Sequence, residues 1–231
     1  TEQASVMAWG CDPEVMSRDP YAGARAGVTV SLAKLVAAGG DYKKAYLTLQ
    51  EFFEKLQDNP TRWGRPFAAL LGALDAQLEY GCAAIGGKDS MSGSFLDMDV
   101  PPTLISFAVA PIRAGDIITP EFKGPGHPVY CFGGDGAESR RDAWETFRRL
   151  AQSGKVKSAW AVEHSVAEGV MQMSFGNRIG FRSEPSAVLP WDLPSYGTVL
   201  AELSEDVELP CARRIGVTAA EPVITIGNDS A

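Results

Sequence analysis

The sequence predicts an α+β fold, with layered sheets and helices rather than a doubly wound sheet, divided into two units. Three observations carry that prediction. Helical and strand periodicities are mixed along the chain without a clean βαβ alternation. A Gly- and Pro-rich stretch from Pro111 to Pro128 has no strong period, and the pattern restarts beyond it, with a hinge expected near 111–120. A length of 231 residues suits one to two domains and is ample to bury an apolar core without disulfides or metals.

Each element follows from local signals. Val6 to Trp9 reads as a short strand and Cys11-Asp12-Pro13 as a turn. Asp19-Pro20 opens a helix, Asp19 as cap and Pro20 at the first helical position. Val28, Leu32, Leu35 and Val36 continue it at helical spacing, and Gly39-Gly40 stops it. Tyr46 to Leu49 is a short strand, and Glu51 to Leu56 looks helical, ended by Asp58-Asn59-Pro60. Pro66 opens a second long helix through Leu70, Leu71, Leu74 and Leu78 to Gly81. Cys82 to Ile85 is expected as a buried strand and Thr103 to Val109 as another. In the second half, Val129 to Phe132 is a strand running into Gly133-Gly134-Asp135-Gly136. Helices follow at Asp142 to Gln152 and Ser165 to Met173, and strands at 180–181, 197–203, 213–217 and 223–226. The polar end, 227–231, is expected to fray. No internal repeat or low-complexity tract is visible.

Composition excludes several function classes. Lys+Arg number 21 against Asp+Glu 29, a formal net charge of −8. An acidic chain is a poor candidate for a broad grip on nucleic acid, though a local loop can still hold a small phosphorylated ligand. No stretch approaches the ~18 consecutive apolar residues of a membrane span, and Thr1-Glu2-Gln3 shows no basic n-region or apolar h-region, so no signal peptide is expected in this stretch. Cys11, Cys82, Cys131 and Cys211 have neither zinc-type nor redox spacing. Cys82, Cys131 and Cys211 lie in or beside apolar runs and are expected as buried free thiols, which fits a reducing cytoplasm. His127, in a turn-rich loop, and His164, before an apolar helix, are expected in surface or capping roles.

The stretch that carries chemistry is Ala84-Ile85-Gly86-Gly87-Lys88-Asp89-Ser90-Met91-Ser92-Gly93. A strand runs into two glycines whose N–H groups are expected to approach a ligand and form an anion-binding nest. Lys88 supplies a point charge for phosphate. Asp89 could orient Lys88, accept from a ligand hydroxyl or hold Mg²⁺, and Ser90 and Ser92 could donate to phosphate or an amide. The spacing is not that of a Walker A loop. The competing reading is a tight turn after a buried strand, with Lys88 and Asp89 solvated.

The run from Gly86 to Ser92 closely resembles the glycine-lysine-aspartate-serine-methionine segment of the phosphoribosylformylglycinamidine synthase family. Asp19 to Ala24, Pro101 to Val109 and Met171 to Asn177 resemble three further blocks, so the likeness spans nearly the whole chain. It implies the AIR synthetase-like architecture: a ferredoxin-like A domain over 1–112, truncated at its start, and an α/β sandwich B domain over 113–231. The chain would then be most of the second A/B half of an enzyme that converts formylglycinamide ribonucleotide, glutamine and ATP to the amidine in purine synthesis. ATP phosphorylates the amide oxygen, and ammonia displaces the phosphate. The implied partners are the first A/B half and the glutaminase domain, and a homodimer through the A-domain sheet is also open to the isolated chain. The implied catalytic His lies on the first A domain, so no catalytic residue is expected in this chain.

Carried over by position, Gly87 would lie at ATP and Ser90 at the substrate, with Gly86, Lys88, Asp89 and Ser92 completing the loop. Gln50 follows a strand near where the family places an amide or acid at the nucleotide. Lys88 stands where shorter members have a metal-binding Asn, so no metal ligand is expected here. ATP and Mg belong to the full-length enzyme, and tight binding to this chain is not expected. The pseudo-symmetric nucleotide site departs from the family: Val30 and Lys34 occupy its acid and amide positions, and Ala159 to His164 its Asp-rich segment. That site is expected to be degenerate, which leaves a non-catalytic, structural half as the alternative reading. The run at Lys88 argues against aminoimidazole ribonucleotide synthetase, selenophosphate synthetase and thiamine-phosphate kinase. Gly133 to Gly136 reads as a plain loop. Arg140-Arg141, Arg148-Arg149 and Arg213-Arg214 read as solvated surface, and Trp144, Phe147, Trp160, Met171 and Met173 as core.

Overall fold

The structure, a computed structural model, describes residues 2–133, 136–185, 191–192, 194–227 and 229–230. It is α+β, as the mixed periodicities predict. The chain packs as two compact units, one formed by Ser5–Leu35 and Asp41–Pro111, the other by residues 112 onward with 1–4 and Val36–Gly40.

In the first unit the order is β1 (Gln3–Gly10), α1 (Pro13–Arg18), α2 (Pro20–Ala37), β2 (Tyr46–Phe52), α3 (Pro60–Tyr80), β3 (Ala83–Lys88), β4 (Ser94–Phe95), β5 (Met98–Asp99) and β6 (Thr103–Arg113). The sheet runs β1-β6-β2-β3, with β2 antiparallel to β6 and parallel to β3. Alternation sets its two faces. Leu104, Ser106, Ala108 and Ala110 of β6 point to the covered face, where Ser31 of α2 meets Ser106 at 2.9 Å. Met7, Trp9, Tyr46 and Phe52 are exposed on the opposite face.

Asp19 opens α2 as expected, its Oδ1 accepting from the Ala22 N–H at 3.0 Å. Four local expectations need correction. The Cys11-Asp12-Pro13 turn leads directly into α1, because Asp12 caps the N–H groups of Glu14 and Val15. The helix expected over 51–56 is absent: β2 runs on through Glu51 and Phe52, stitched to β6. Asp58-Asn59-Pro60 starts a helix instead of ending one. Asn59 accepts from the N–H groups of Thr61 and Arg62 and Pro60 takes the first helical position, so Pro66 falls inside α3. Finally, β3 extends through Gly86 and Gly87 to Lys88, and as the sheet's edge strand it is largely exposed rather than buried, Ile85 included. Gly81 ends α3 with φ +67, where a side chain would be strained.

Among the described residues the second unit is a seven-stranded, mostly antiparallel sheet with two α-helices. Its elements are β7 (Pro128–Phe132), α4 (Ala137–Gln152), β8 (Val156–Ala161), α5 (Val166–Phe175), β9 (Gly180–Ser183), β10 (Val199–Leu203), β11 (Ala212–Ala219), β12 (Ile224–Ile226) and β13 (Asp229–Ser230). The sheet order is β13-β12-β9-β11-β7-β10-β8. The strand β8 was not anticipated; it pairs antiparallel with β10, Trp160 opposite Leu200. Val166, Val170 and Met173 of α5 join Phe122, Val129, Phe181, Leu200 and Ile215 in one core. Trp144 and Phe147 are buried and Trp160 is partly buried, as expected, whereas Met171 lies exposed beside its buried neighbour Met173.

Candidate functional site

The site begins where α3 hands over to β3. The Cys82 N–H bonds to the Gln77 carbonyl at 3.1 Å, and Gln77 Oε1 accepts from the Ala84 N–H at 2.7 Å. One residue further the parallel ladder to β2 shifts: Leu47 faces Ala84 but Thr48 faces Gly86, so Ile85 is the extra residue of a bulge. β3 is the edge strand, so its outer backbone edge carries no ladder.

The two glycines have different reasons to be there. A Cβ on Gly87 would collide with the Leu49 carbonyl oxygen, so strand packing demands glycine. A Cβ on Gly86 would meet nothing within 4 Å, so no contact of this chain demands it. Neither has a positive φ, and the expected nest of alternating left- and right-handed residues is not formed. What the glycines present is a bare extended edge.

Beyond Lys88 the chain folds back over the end of β2. Ser90 donates its N–H to the Glu51 carbonyl at 3.1 Å and accepts from the Phe53 N–H at 2.8 Å, and Gly93 donates to the Phe53 carbonyl at 2.9 Å. Ser94 Oγ accepts from the Lys55 N–H at 2.9 Å and donates to Asp99 Oδ1 at 2.5 Å. Within this loop Lys88 Nζ donates to the Asp89 carbonyl, and the Ser90 and Ser92 hydroxyls pair at 2.9 Å. Gln50 is the register partner of Lys88, and its Nε2 donates to the Lys88 carbonyl at 2.9 Å. The structure therefore gathers Gly86, Gly87, Lys88, Asp89, Ser90, Ser92 and Gln50 at one end of the β2–β3 pair. Gln50 holds the base of the loop through its amide N–H.

Two carboxylates beneath the loop escaped the sequence reading. Glu51 is only 4 % exposed and Glu54 is fully buried, and each has an Oε2 without a hydrogen-bond partner. Burial, reinforced by the negative charge of Asp89, pushes the Glu51 carboxyl up to about 7. Glu54 is held by Arg65, whose Nη1 donates to Oε1 at 2.7 Å. The signal was present: Glu51 continues the inward register of Leu47 and Leu49, and reading 51–56 as helical hid it.

The remaining candidates lie elsewhere. Val30 is buried within α2, and Lys34 Nζ sits 4.4 Å from the Trp9 ring centroid. In the second unit, His127 Nδ1 is 2.6 Å from the buried Glu202, and His164 is exposed just before α5. Cys82 and Cys131 are buried, their thiols pushed up to about 11 and about 12 by desolvation, so both are poor nucleophiles. Cys211 is only half-buried, contrary to expectation, because it lines an open cavity of about 920 Å³ with Gly133, Arg140 and Arg213. Of the glycine turn beside that cavity, Gly134 and Asp135 lie outside the described residues. Arg214 is tied to Glu184 and Asp206 rather than solvated. Among the described residues no group of three or more His, Cys, Asp or Glu could hold a metal ion, and no helix is long and apolar enough to cross a membrane.

No family model and no curated protein matches the chain. Solved structures do. Thermotoga maritima PurL complexed with FGAR superposes with a TM-score of 0.76 at 14% identity, over 99% of this chain and 44% of that one. PurL complexed with AMPPCP gives 0.74 at 15%, over 99% and 43%. Thiamine-monophosphate kinase from Stenotrophomonas maltophilia K279a gives 0.67 at 12%, over 100% and 87%. At these identities the likeness establishes the fold. The chain spans less than half the length of the PurL chains it matches.

Proposed function

We propose that this chain is the second A/B half of an ATP- and glutamine-dependent formylglycinamide ribonucleotide amidation enzyme, a cytoplasmic ligase of purine synthesis. In this reading the A domain covers 1–112 and the B domain 113–231, and the run from Gly86 to Ser92 lies at the synthetase site. The observation that carries it is the coincidence of two independent facts. The sequence run resembling phosphoribosylformylglycinamidine synthase falls on the exposed end of edge strand β3. The fold over 99% of the chain is that of a PurL crystallised with FGAR.

Gly86 supports the reading further, since a glycine that its own chain does not require, on an open strand edge, is suited to close approach by a ligand. The loop's own contribution would be positional and electrostatic. Lys88 brings a positive charge to a transferring phosphoryl group, and Ser90 and Ser92 offer hydroxyls to the substrate. Any Mg²⁺ would arrive with ATP and be held largely by groups elsewhere, because the described residues contain no cluster able to hold it alone. The catalytic His, the first A/B half and the glutaminase domain would complete the enzyme, with the open face of the β1-β6-β2-β3 sheet as the surface that meets the first half. The test is Lys88→Ala in the complete enzyme. Synthetase turnover should fall at least about 100-fold while glutamine hydrolysis persists; unchanged synthetase kinetics would defeat the assignment.

A specific observation favours a second reading, a scaffold half with no ligand of its own. At the positions where the family's second nucleotide would be held, Val30 is core and Lys34 stacks on Trp9. Calorimetric titration of the chain with Mg-ADP separates the readings of that site, and micromolar affinity there would remove the scaffold reading.

A further inference from the structure

α3 carries a surface that nothing in the loop chemistry uses. Trp63, Phe67, Leu70, Leu71, Leu74 and Leu78 are 41–73 % exposed. At 100° per residue they fall within about 100° of arc, a single apolar stripe along the helix. The stripe is two adjacent ridges of i, i+4 spacing, 63-67-71 and 70-74-78.

The charges of α3 are already spoken for. Arg62 pairs with Asp99 at 2.6 Å and Arg65 with Glu54 at 2.7 Å, Tyr21 donates to Asp75, and Arg25 binds Glu79. The stripe therefore calls for an apolar partner, without an ionic match. At about 150–250 Å² for a fully exposed large side chain, these fractions leave roughly 500–800 Å² of apolar surface. The upper end of that range reaches the ~800 Å² each partner gives to a standard interface, and the range runs from the upper part of the ~300–600 Å² of a typical monomer's largest apolar patch to beyond it.

We infer that α3 is a self-association surface, docking against α3 of a second copy of this chain. The commonest helix packing in globular proteins sets the i±4n ridges of one helix into the grooves of another whose ridges are also i±4n, at a crossing angle of about −50°. A two-fold contact needs the same ridge geometry on both sides, and α3 supplies it from one sequence.

Light scattering and sedimentation equilibrium of the 231-residue chain over about 1–100 µM test this. The expected result is a dimer of twice 24.7 kDa. Leu71→Glu and Leu74→Glu should each weaken it at least tenfold with unchanged circular dichroism. Leu74→Gln, without a charge, should weaken it in the same direction. Tyr46→Glu, on the open sheet face, should leave it intact. A monomer throughout that range overturns the inference. So does a dimer that survives the α3 changes and is lost with Tyr46→Glu. So does protection of α3 from exchange inside a monomeric longer polypeptide that carries this segment, since the occupant would then be another part of that polypeptide.

Discussion

At the scale of single residues, two of the buried acids, Glu51 and Glu202, have opposite surroundings. Glu202, fully buried on β10, accepts from the N–H groups of Lys123 and Gly124 and from the Ser158 hydroxyl at 2.7 Å, and meets His127. It clamps the segment entering β7. Glu202→Ala would orphan those donors and should cost about 2–4 kcal/mol in chemical denaturation. Glu51 has an oxygen with no partner. Its carboxyl titrates near 4.5 unfolded but only near 7 folded, so between those values the folded state binds more protons. Its stability contribution is whole below 4.5 and is lost as pH rises through 7. The chain should therefore be about 1–3 kcal/mol less stable at pH 8.5 than at 5.5 from this group. Glu51→Gln should lack that component of the slope, and urea unfolding at the two pH values would settle it, an identical slope in both proteins refuting the account. Burial of Glu202 was not legible in the sequence, whereas that of Glu51 was, in the inward register of Leu47 and Leu49. Glu202 lies in an apolar run read simply as a strand, and Glu51 was hidden by a helical reading of 51–56.

At the scale of elements, the site depends on how β3 ends, and the two glycines make a paired test. Gly87→Ala must push Cβ against the Leu49 carbonyl and should destabilise by about 1–3 kcal/mol. Gly86→Ala has open space and should leave stability unchanged or raise it by about 0.5–1 kcal/mol. In the complete enzyme, Gly86→Ala should nonetheless lower synthetase turnover, because the added methyl occupies the open edge. Full activity with Gly86→Ala would mean that edge touches no ligand. The motif itself was readable, as a Gly-Gly-Lys-Asp-Ser run after an apolar strand. Its conformation was not, because glycines suit either a nest or a bare strand and only the pairing with β2 decides between them. The start of α3 was misread for a related reason. Proline favours a helix start at both 60 and 66, and the side chain of Asn59, bonding to Thr61 and Arg62, selects the earlier one. Asn59→Ala should lower the melting temperature, by the equivalent of about 1 kcal/mol.

At the scale of the whole molecule, the α+β class was legible because both periodicities recur without βαβ order, while the strand neighbours β1-β6-β2-β3 were not, since local pattern says nothing of which strand lies beside which. Net charge, by contrast, is readable at once and bears on association. Two copies at a formal −8 each repel. The α3 stripe itself carries no charge, and of the charged residues on the rest of α3, Arg62, Arg65 and Glu79 are ion-paired within the chain and Asp75 accepts from the Tyr21 hydroxyl, so no ion pairs are expected across the contact. Salt then has only repulsion to screen, and the screening length shrinks from about 10 Å at 0.1 M to about 3 Å at 1 M. The dimer should therefore tighten several-fold on going from low to high salt, where an interface built on ion pairs would loosen. Sedimentation velocity at two sodium chloride concentrations reads the difference directly. A tenfold weakening with salt would put unsatisfied charges at the contact, and the apolar stripe of α3 would no longer explain it.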